Sequence, residues 1–150
     1  MGSAEVQGRL WGARAAGWAE LGEPSGTPIY QAAFDAMGVT TGTRLLDVGC
    51  GAGLALQLAR KRRAIVAGFD ATAPLLDVAR SRLPGADPRR GDIENLPYGE
   101  GSVDAVTAFN TAQYAIDPGR ALREIKRVAA PGAPVAVASW VTPTAARPGC

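Results

Sequence analysis

Three glycines that alternate with other residues follow a short apolar segment and are the first candidates for ligand binding. Gly49, Gly51 and Gly53 come directly after residues 44–48, a segment that contains Asp47. Glycine has no Cβ, so a ligand can lie against its backbone, and positive φ angles carry no steric cost there. Branched apolar residues before the turn favour a buried strand, and the leucine-rich stretch after it favours a helix. This pattern predicts the first half of a βαβ unit, which would bind a ligand at the carboxyl end of its strand.

Asp70 ends the next apolar run, residues 64–69, and is a second candidate for ligand binding. An acidic side chain just past the second strand of such a sheet can accept hydrogen bonds from both hydroxyls of a ribose. The alternative is that Asp70 caps the helix that begins near Pro74. Thr72 can serve as that cap, and we therefore favour the ligand role for Asp70.

The rest of the chain must supply the elements that position these residues. Apolar residues recur at three- and four-residue steps over residues 8–21, which indicates a helix, and a second helix is predicted from Pro28 to Gly38. The remaining predicted elements are a helix over residues 74–83, an edge strand over 86–90, a buried strand over 103–109, a helix after Asp117-Pro118 and a strand over 134–140. Strands that alternate with helices predict an α/β domain with a parallel sheet.

Composition argues against several classes of function. The chain has 150 residues and a net charge of +2, which gives no argument for nucleic acid as a partner. It has no histidine, the commonest general base and transition-metal ligand, and we expect no metal site. Cys50 and Cys150 offer no disulfide framework, and the sequence shows neither a membrane span nor a signal peptide. We expect one compact domain in the cytoplasm.

Residues 47–53, Asp-Val-Gly-Cys-Gly-Ala-Gly, resemble motif I of the class I S-adenosylmethionine-dependent methyltransferases at every fixed position. Later stretches are similar to further motifs of the family, in the family's order. They are Gly91-Asp92-Ile93, the Leu-Pro-Tyr sequence within residues 94–102, Asp104 at the start of a strand, and residues 122–132 followed by Ala133 in place of a glycine. The resemblance spans about residues 44–140, and it is closest to members that act on quinones and other small metabolites.

This resemblance implies a Rossmann-like α/β fold with a parallel sheet of strand order 3-2-1-4-5 and helices on both faces. Residues 1–43 would form an N-terminal helical lid, residues 44–140 the core that binds S-adenosylmethionine, and residues 141–150 an irregular tail. Family members continue with a closing β-hairpin that is lacking here. We therefore expect either a truncated chain or a homodimer that pairs through the open edge of the fifth strand.

The resemblance also implies which residues contact the cofactor. It assigns Asp47 and the glycines to the turn and the methionine end, Asp70 to the ribose, and Asp92 with Ile93 to the adenine. The backbone carbonyl of Asn110 would lie near the methionine amino group. Trp11, Trp18 and Tyr30 would cover the cofactor from the lid, although packing on the core explains each aromatic residue equally well. The full set of predicted contacts is Asp47, Gly49, Cys50, Gly51, Gly53, Asp70, Ala71, Asp92, Ile93, Asn110, Tyr30 and Trp18.

The predicted reaction is methyl transfer to a small-molecule acceptor by in-line displacement at the sulfonium methyl. Such a reaction depends chiefly on placing the nucleophile, so a dedicated base is optional. Tyr114 and Gln113 are candidates for the acceptor side, with ordinary helix-entry residues as the alternative. A non-catalytic cofactor-binding or interaction module is a second hypothesis. A nicotinamide-dependent oxidoreductase is a third, but the last glycine comes one position too early for its fingerprint.

Overall fold

The computed structural model describes residues 3–139 of the chain. Its centre is a five-stranded sheet of order β3-β2-β1-β4-β5 in which every pairing is parallel. The strands are β1 (Arg44–Val48), β2 (Ile65–Asp70), β3 (Arg89–Arg90), β4 (Ala105–Phe109) and β5 (Val135–Ala138). The predicted strand order is confirmed. The order reverses between β1 and β4, and α/β sheets bind ligands at such a switch point.

Six helices connect and cover the strands. They are α1 (Ser3–Gly12), α2 (Ala15–Gly17), α3 (Thr27–Met37), α4 (Leu54–Lys61), α5 (Ala73–Arg82) and α6 (Pro118–Val128). Asp117 caps α6, because its side chain accepts a hydrogen bond from the backbone N–H of Arg120. In the described part of the chain, no helix is long and apolar enough to cross a membrane.

Strand β1 sends side chains into two cores, one on each face of the sheet. Leu45 belongs to a core with side chains of α3, α4 and α5, among them Phe34, Leu56 and Leu76. Leu46 belongs to the opposite core, which α6 closes with Ile125 and Val128. The alternation follows from the period of two along a strand, and it confirms helices on both faces of the sheet.

The predicted helix over residues 8–21 is wrong in its bounds. Helix α1 ends at Gly12, and the chain then forms α2, a π-helical turn at Trp18–Gly22 and a 3₁₀ turn at Glu23–Gly26. Tertiary contacts hold this irregular path: Arg82 of α5 donates hydrogen bonds to the Ala19 carbonyl and to the Glu23 carboxylate. Periodicity in the sequence cannot reveal a path that is set by a residue about 60 positions away.

Three predicted strands are shorter than expected. The third covers only Arg89–Arg90, because Pro88 has no N–H to donate and Ala86 already turns back to the Leu83 carbonyl. The fourth begins at Ala105, since Val103 pairs with Ala129 in an isolated bridge. The fifth is observed over Val135–Ala138; Trp140 and the predicted tail at residues 141–150 lie outside the described residues.

Candidate functional site

A cleft opens at the carboxyl ends of β1, β2 and β4, beneath helix α1. Its walls combine the glycine turn after β1, the ends of β2 and β3, the segment after β4, and residues of α1. The lining residues include Ser3, Gln7, Trp11, Trp18, Gly49, Gly51, Asp70, Ala71, Gly91, Asp92, Ile93, Asn110, Thr111 and Tyr114. Most of the predicted ligand contacts therefore meet at one place.

The three glycines of the turn have different surroundings. All three have positive φ angles, of 79°, 52° and 88° for Gly49, Gly51 and Gly53. A Cβ on Gly49 would lie 2.4 Å from the Thr111 side chain, whereas at Gly51 the nearest atom, Trp18 Nε1, would be 3.8 Å away. Gly51 is therefore the glycine of this turn whose backbone is accessible from the cleft. Gly53 does not line the cleft; a Cβ there would press on Ala79 of α5 and Leu83 just after it.

Asp70 lies at the tip of β2 and binds the turn directly. Its Oδ2 accepts a hydrogen bond from the N–H of Gly51 at 2.9 Å, and its Oδ1 accepts one from the N–H of Thr72 at 2.8 Å. Burial raises the pKa of Asp70, and these hydrogen bonds oppose that rise. We expected Thr72 to cap α5 and leave Asp70 free. That is wrong, because the Thr72 side chain makes no capping hydrogen bond, and the Asp70 carboxylate accepts a hydrogen bond from the backbone N–H of Thr72. A carboxylate retains further acceptor sites for a ligand.

Asp92 lies after β3 and faces the same cleft. Its Oδ1 accepts a hydrogen bond from the N–H of Glu94 at 3.0 Å, which fixes the turn that follows. The Ser3 hydroxyl donates to both carboxylate oxygens, at 3.3 and 3.2 Å, and the N–H of Ala4 lies 3.4 Å from Oδ2. Asp92 thus connects α1 to the sheet, a role that sequence reasoning missed.

Asp47 and Cys50 are not among the residues that line the cleft. Both are buried, and Asp47 Oδ1 accepts a hydrogen bond of 2.7 Å from Thr107, its partner in the β1–β4 register. Burial raises the pKa of Asp47 to about 7, and the negative charges of Asp70 and Glu23 add to the effect. Burial also raises the pKa of the Cys50 thiol. The Asp47 carboxylate therefore lies in the core beneath the turn and not in the cleft.

The predicted aromatic residues separate into two groups. Trp18 lines the cleft and makes an edge-on contact of 5.2 Å with Trp11, which itself lies 6.2 Å from the Tyr114 ring. Tyr30 instead is buried against Phe109, with ring centroids 4.7 Å apart. Tyr114 and Gln113 are both exposed, but only Tyr114 lines the cleft. Asn110 lines the cleft with a positive φ of 52°, an unusual backbone conformation for a residue other than glycine.

Glu23 is a buried residue beside the turn that sequence reasoning also missed. Its Oε1 accepts a hydrogen bond of 2.9 Å from the N–H of Leu54, at the first residue of α4, and its Oε2 pairs with Arg82 at 2.6 Å. In dinucleotide-binding folds this helix N-terminus binds a pyrophosphate. The chain's own carboxylate holds the position here, which argues against a nicotinamide dinucleotide.

The charged and polar groups that line the cleft fit a cationic nucleoside. Among the cleft-lining residues that the structure describes, Asp70 and Asp92 are acidic and none is lysine or arginine. A phosphate-bearing ligand would meet only negative charge, whereas ribose hydroxyls, an amino group or a sulfonium would be attracted. At Gly51 a ligand can lie directly against the backbone, in space that a Cβ would otherwise occupy. S-adenosylmethionine has all of these groups and no phosphate, so the residues present fit it.

Comparison with known proteins agrees with this geometry. The methyltransferase domain family matches residues 46–137 of the chain. A demethylmenaquinone methyltransferase of Renibacterium salmoninarum is 34% identical over 110 residues, which cover 73% of this chain and 46% of that protein. An S-adenosylmethionine-dependent methyltransferase structure from Mesorhizobium loti superposes with a TM-score of 0.63 at 27% identity, over 69% of this chain and 48% of the other. The [4+2]-cyclase SpnF superposes with a TM-score of 0.67 at 30% identity, over 73% and 43%. The chain thus spans less than half the length of each of these proteins.

Proposed function

The chain belongs to the S-adenosylmethionine-dependent methyltransferases, and on that premise we propose that it binds S-adenosylmethionine in the cleft and transfers its methyl group to a small-molecule acceptor. One observation carries the proposal: the bare backbone of Gly51 lies between the tips of β1 and β2, with the Asp70 carboxylate bonded to it and Asp92 at the next tip. The demethylmenaquinone methyltransferase among the relatives supports an acceptor of the quinone or small-metabolite class.

We assign the parts of the cofactor to residues that line the cleft. Gly49 and Gly51 would face the methionine end, and Asp70 the ribose. Asp92 with the backbone of Ile93 would face the adenine, and the carbonyl of Asn110 the amino group. Asp47, Cys50, Gly53 and Tyr30 do not line the cleft, so we propose that they shape the turn from behind it.

The chain's contribution to the reaction is positioning. S-adenosylmethionine supplies a methyl group on a sulfonium, an electrophile that needs no further activation by the protein. Trp11 and Trp18 line the cleft, where they would exclude water, and we propose that the acceptor approaches beside Tyr114. Holding the acceptor in line can lower the barrier by roughly 7–11 kcal/mol. We therefore propose Tyr114 rather than Gln113 as the acceptor-side residue, because only Tyr114 lines the cleft.

Calorimetric titration with S-adenosylhomocysteine tests the binding part of this proposal. The wild-type chain is expected to bind, and Asp70→Ala to bind at least about tenfold more weakly, since it loses a charged acceptor. Asp77→Ala, an exposed carboxylate on α5, is the matched control and should bind like the wild type. If the wild type does not bind, or if Asp70→Ala binds equally well, the proposed site is wrong. NADH should not bind in a parallel titration.

A non-catalytic or non-transferring module is the second candidate. The similarity to the [4+2]-cyclase SpnF supports a role other than methyl transfer, because this fold also occurs in a protein that carries out a different reaction. A methyl-transfer assay with demethylated quinones and other small acceptors separates the two. Binding of S-adenosylhomocysteine without any methyl transfer would favour the module.

We also propose a homodimer through the outer edge of β5. In the described residues this edge has no partner strand, and Val135 and Val137 are exposed on it. An open strand edge without charged residues favours pairing with another strand. Light scattering on the wild type should show a dimer, and Val137→Lys should shift it to the monomer. A monomeric wild type would contradict this pairing.

A further inference from the structure

Helix α1 is attached by hydrogen bonds at its first turn and by packing farther along. Ser3 is 7% exposed, and its hydroxyl and the N–H of Ala4 both point at the carboxylate of Asp92, at 3.2–3.4 Å. A carboxylate at the N-terminus of a helix is also favoured by the helix dipole. The remaining attachment is packing: Gly8 lies against the carbonyl of Ala71, and Trp11 against Tyr114.

The position of α1 leaves little room beneath it. The free space in the cleft is about 100 Å³, below the roughly 300–1,000 Å³ that is usual for small-ligand pockets. Ser3, Ala4 and Gln7 all line this space. This space is too small for a nucleoside, so α1 must shift from this position before one can bind.

The bonds that oppose this movement are weak ones. The distances from Ser3 and Ala4 to Asp92 are at the long end for hydrogen bonds, whereas Glu94 binds the same carboxylate at 3.0 Å and keeps it in place. Asp92 thus stays fixed to the sheet when α1 detaches. The contact has the features of a latch: a fixed acceptor, a removable donor, and a helix that covers the cleft.

We propose that Ser3 is a positioning residue that latches α1 over the cleft through Asp92, and that this latch must release before a nucleoside ligand can bind. The inference rests on the proposed function only in taking the ligand to be a nucleoside bound beneath α1. The latched cleft is too small for the nucleoside, so the latched state competes with the bound state. Weakening the latch therefore raises the association rate and the affinity together and changes the dissociation rate little.

Stopped-flow measurement of S-adenosylhomocysteine binding tests the latch, with tryptophan fluorescence as the signal because Trp11 and Trp18 line the cleft. For Ser3→Ala the association rate constant should rise and Kd should fall, each about fivefold, the equivalent of one ordinary hydrogen bond, with the dissociation rate constant within about twofold. Ser3→Thr, which keeps the hydroxyl, should restore the wild-type association rate and Kd. Ser81→Ala removes a hydroxyl that bonds only the Val78 carbonyl on α5 and is the matched control. Unchanged rates, or a rise in dissociation alone, would overturn the proposal.

A pair of glycine variants tests the same latch through packing. A Cβ at Gly8 would lie 2.9 Å from the backbone oxygen of Ala71, whereas a Cβ at Gly17 would meet nothing within 4 Å. Alanine is the better helix former in both cases, so a loss of helix propensity cannot explain a faster rate. Gly8→Ala should accelerate association more than Ser3→Ala does, and Gly17→Ala should leave it unchanged. Equal behaviour of the two glycine variants would contradict control of the cleft by α1.

Hydrogen exchange without any ligand separates failure of the latch from failure of the proposed function. The amides of α1 should exchange faster in Ser3→Ala than in the wild type, while those of α5 exchange equally in both. If exchange in α1 is unchanged, the latch does not exist, whatever the protein binds. If exchange rises but S-adenosylhomocysteine binds no variant, the latch stands and the nucleoside assignment is wrong.

Discussion

The centre of the sheet and its β5 edge are built differently. Around β1 and β2 the carboxylates of Glu23, Asp47 and Asp70 each have a specific hydrogen-bonding partner, and those of Glu23 and Asp47 are buried. At β5 the side chains of Val135 and Val137 are 43% and 48% exposed. Buried charge costs stability unless it is paired, so the central region tolerates little change. The comparison indicates that residues beneath the cleft contribute more to the free energy of unfolding than residues at the β5 edge. The following variants test this.

The largest expected effect is that of Glu23→Ala. The substitution removes the partner of Arg82 and the acceptor for the N–H of Leu54. Loss of one member of a largely buried pair should lower the free energy of unfolding by about 3 kcal/mol. Urea denaturation measures it, with Asp77→Ala, a member of an exposed pair with Arg80, as the control that should cost at most about 0.5 kcal/mol. Equal costs for the two variants would show that Glu23 does not hold the N-terminal segment.

A smaller effect is expected from a matched pair of valines. Val106 of β4 and Val135 of β5 are direct partners in the register, yet Val106 is fully buried and Val135 is exposed. Val106→Ala should cost about 2 kcal/mol of unfolding free energy because it leaves a cavity. Val135→Ala should cost no more than about 0.5 kcal/mol. If the two costs are similar in urea denaturation, the outer face of β5 is covered in solution.

The smallest effect is a change in pH dependence caused by Asp47→Asn. The pKa of Asp47 is raised to about 7 in the folded chain, above its ordinary value near 3.9. Between these values the folded state holds a proton that the unfolded state has lost, so this group's contribution to stability falls as pH rises toward 7. Asp47→Asn should make that decline shallower between pH 5 and 7. An unchanged slope in urea denaturation at these pH values would mean that Asp47 is ionised throughout.

Local patterns predicted the parts of the fold that local chemistry controls. The glycine turn was predicted because positive φ and a bare backbone need glycine, and the helix after Asp117-Pro118 because an acceptor side chain followed by a proline favours the start of a helix. The path of residues 13–26 could not be predicted this way. It depends on Arg82 and Glu23, which lie 59 positions apart and meet only in the folded chain.

The same division applies to the candidate site. Asp70, Asp92 and Gly51 could be proposed from their places after predicted strands, since parallel strands bring their carboxyl ends to one edge of the sheet. The contact between Ser3 and Asp92, which lie 89 positions apart, could not be predicted from the sequence. Neither could the burial of Asp47 and Cys50, because a residue next to a ligand turn can face either the cleft or the core.

The sequence by itself determined the βαβ pattern, the glycine turn and the acidic residues after two strands, because each of these is a property of neighbouring residues. Only the tertiary structure decided which of these side chains reach the cleft, that Glu23 occupies the helix N-terminus at the turn, and that α1 lies over Asp92. The physical reason is that hydrogen bonds and packing between distant residues depend on how the strands and helices are brought together. No local spacing in the chain encodes that arrangement.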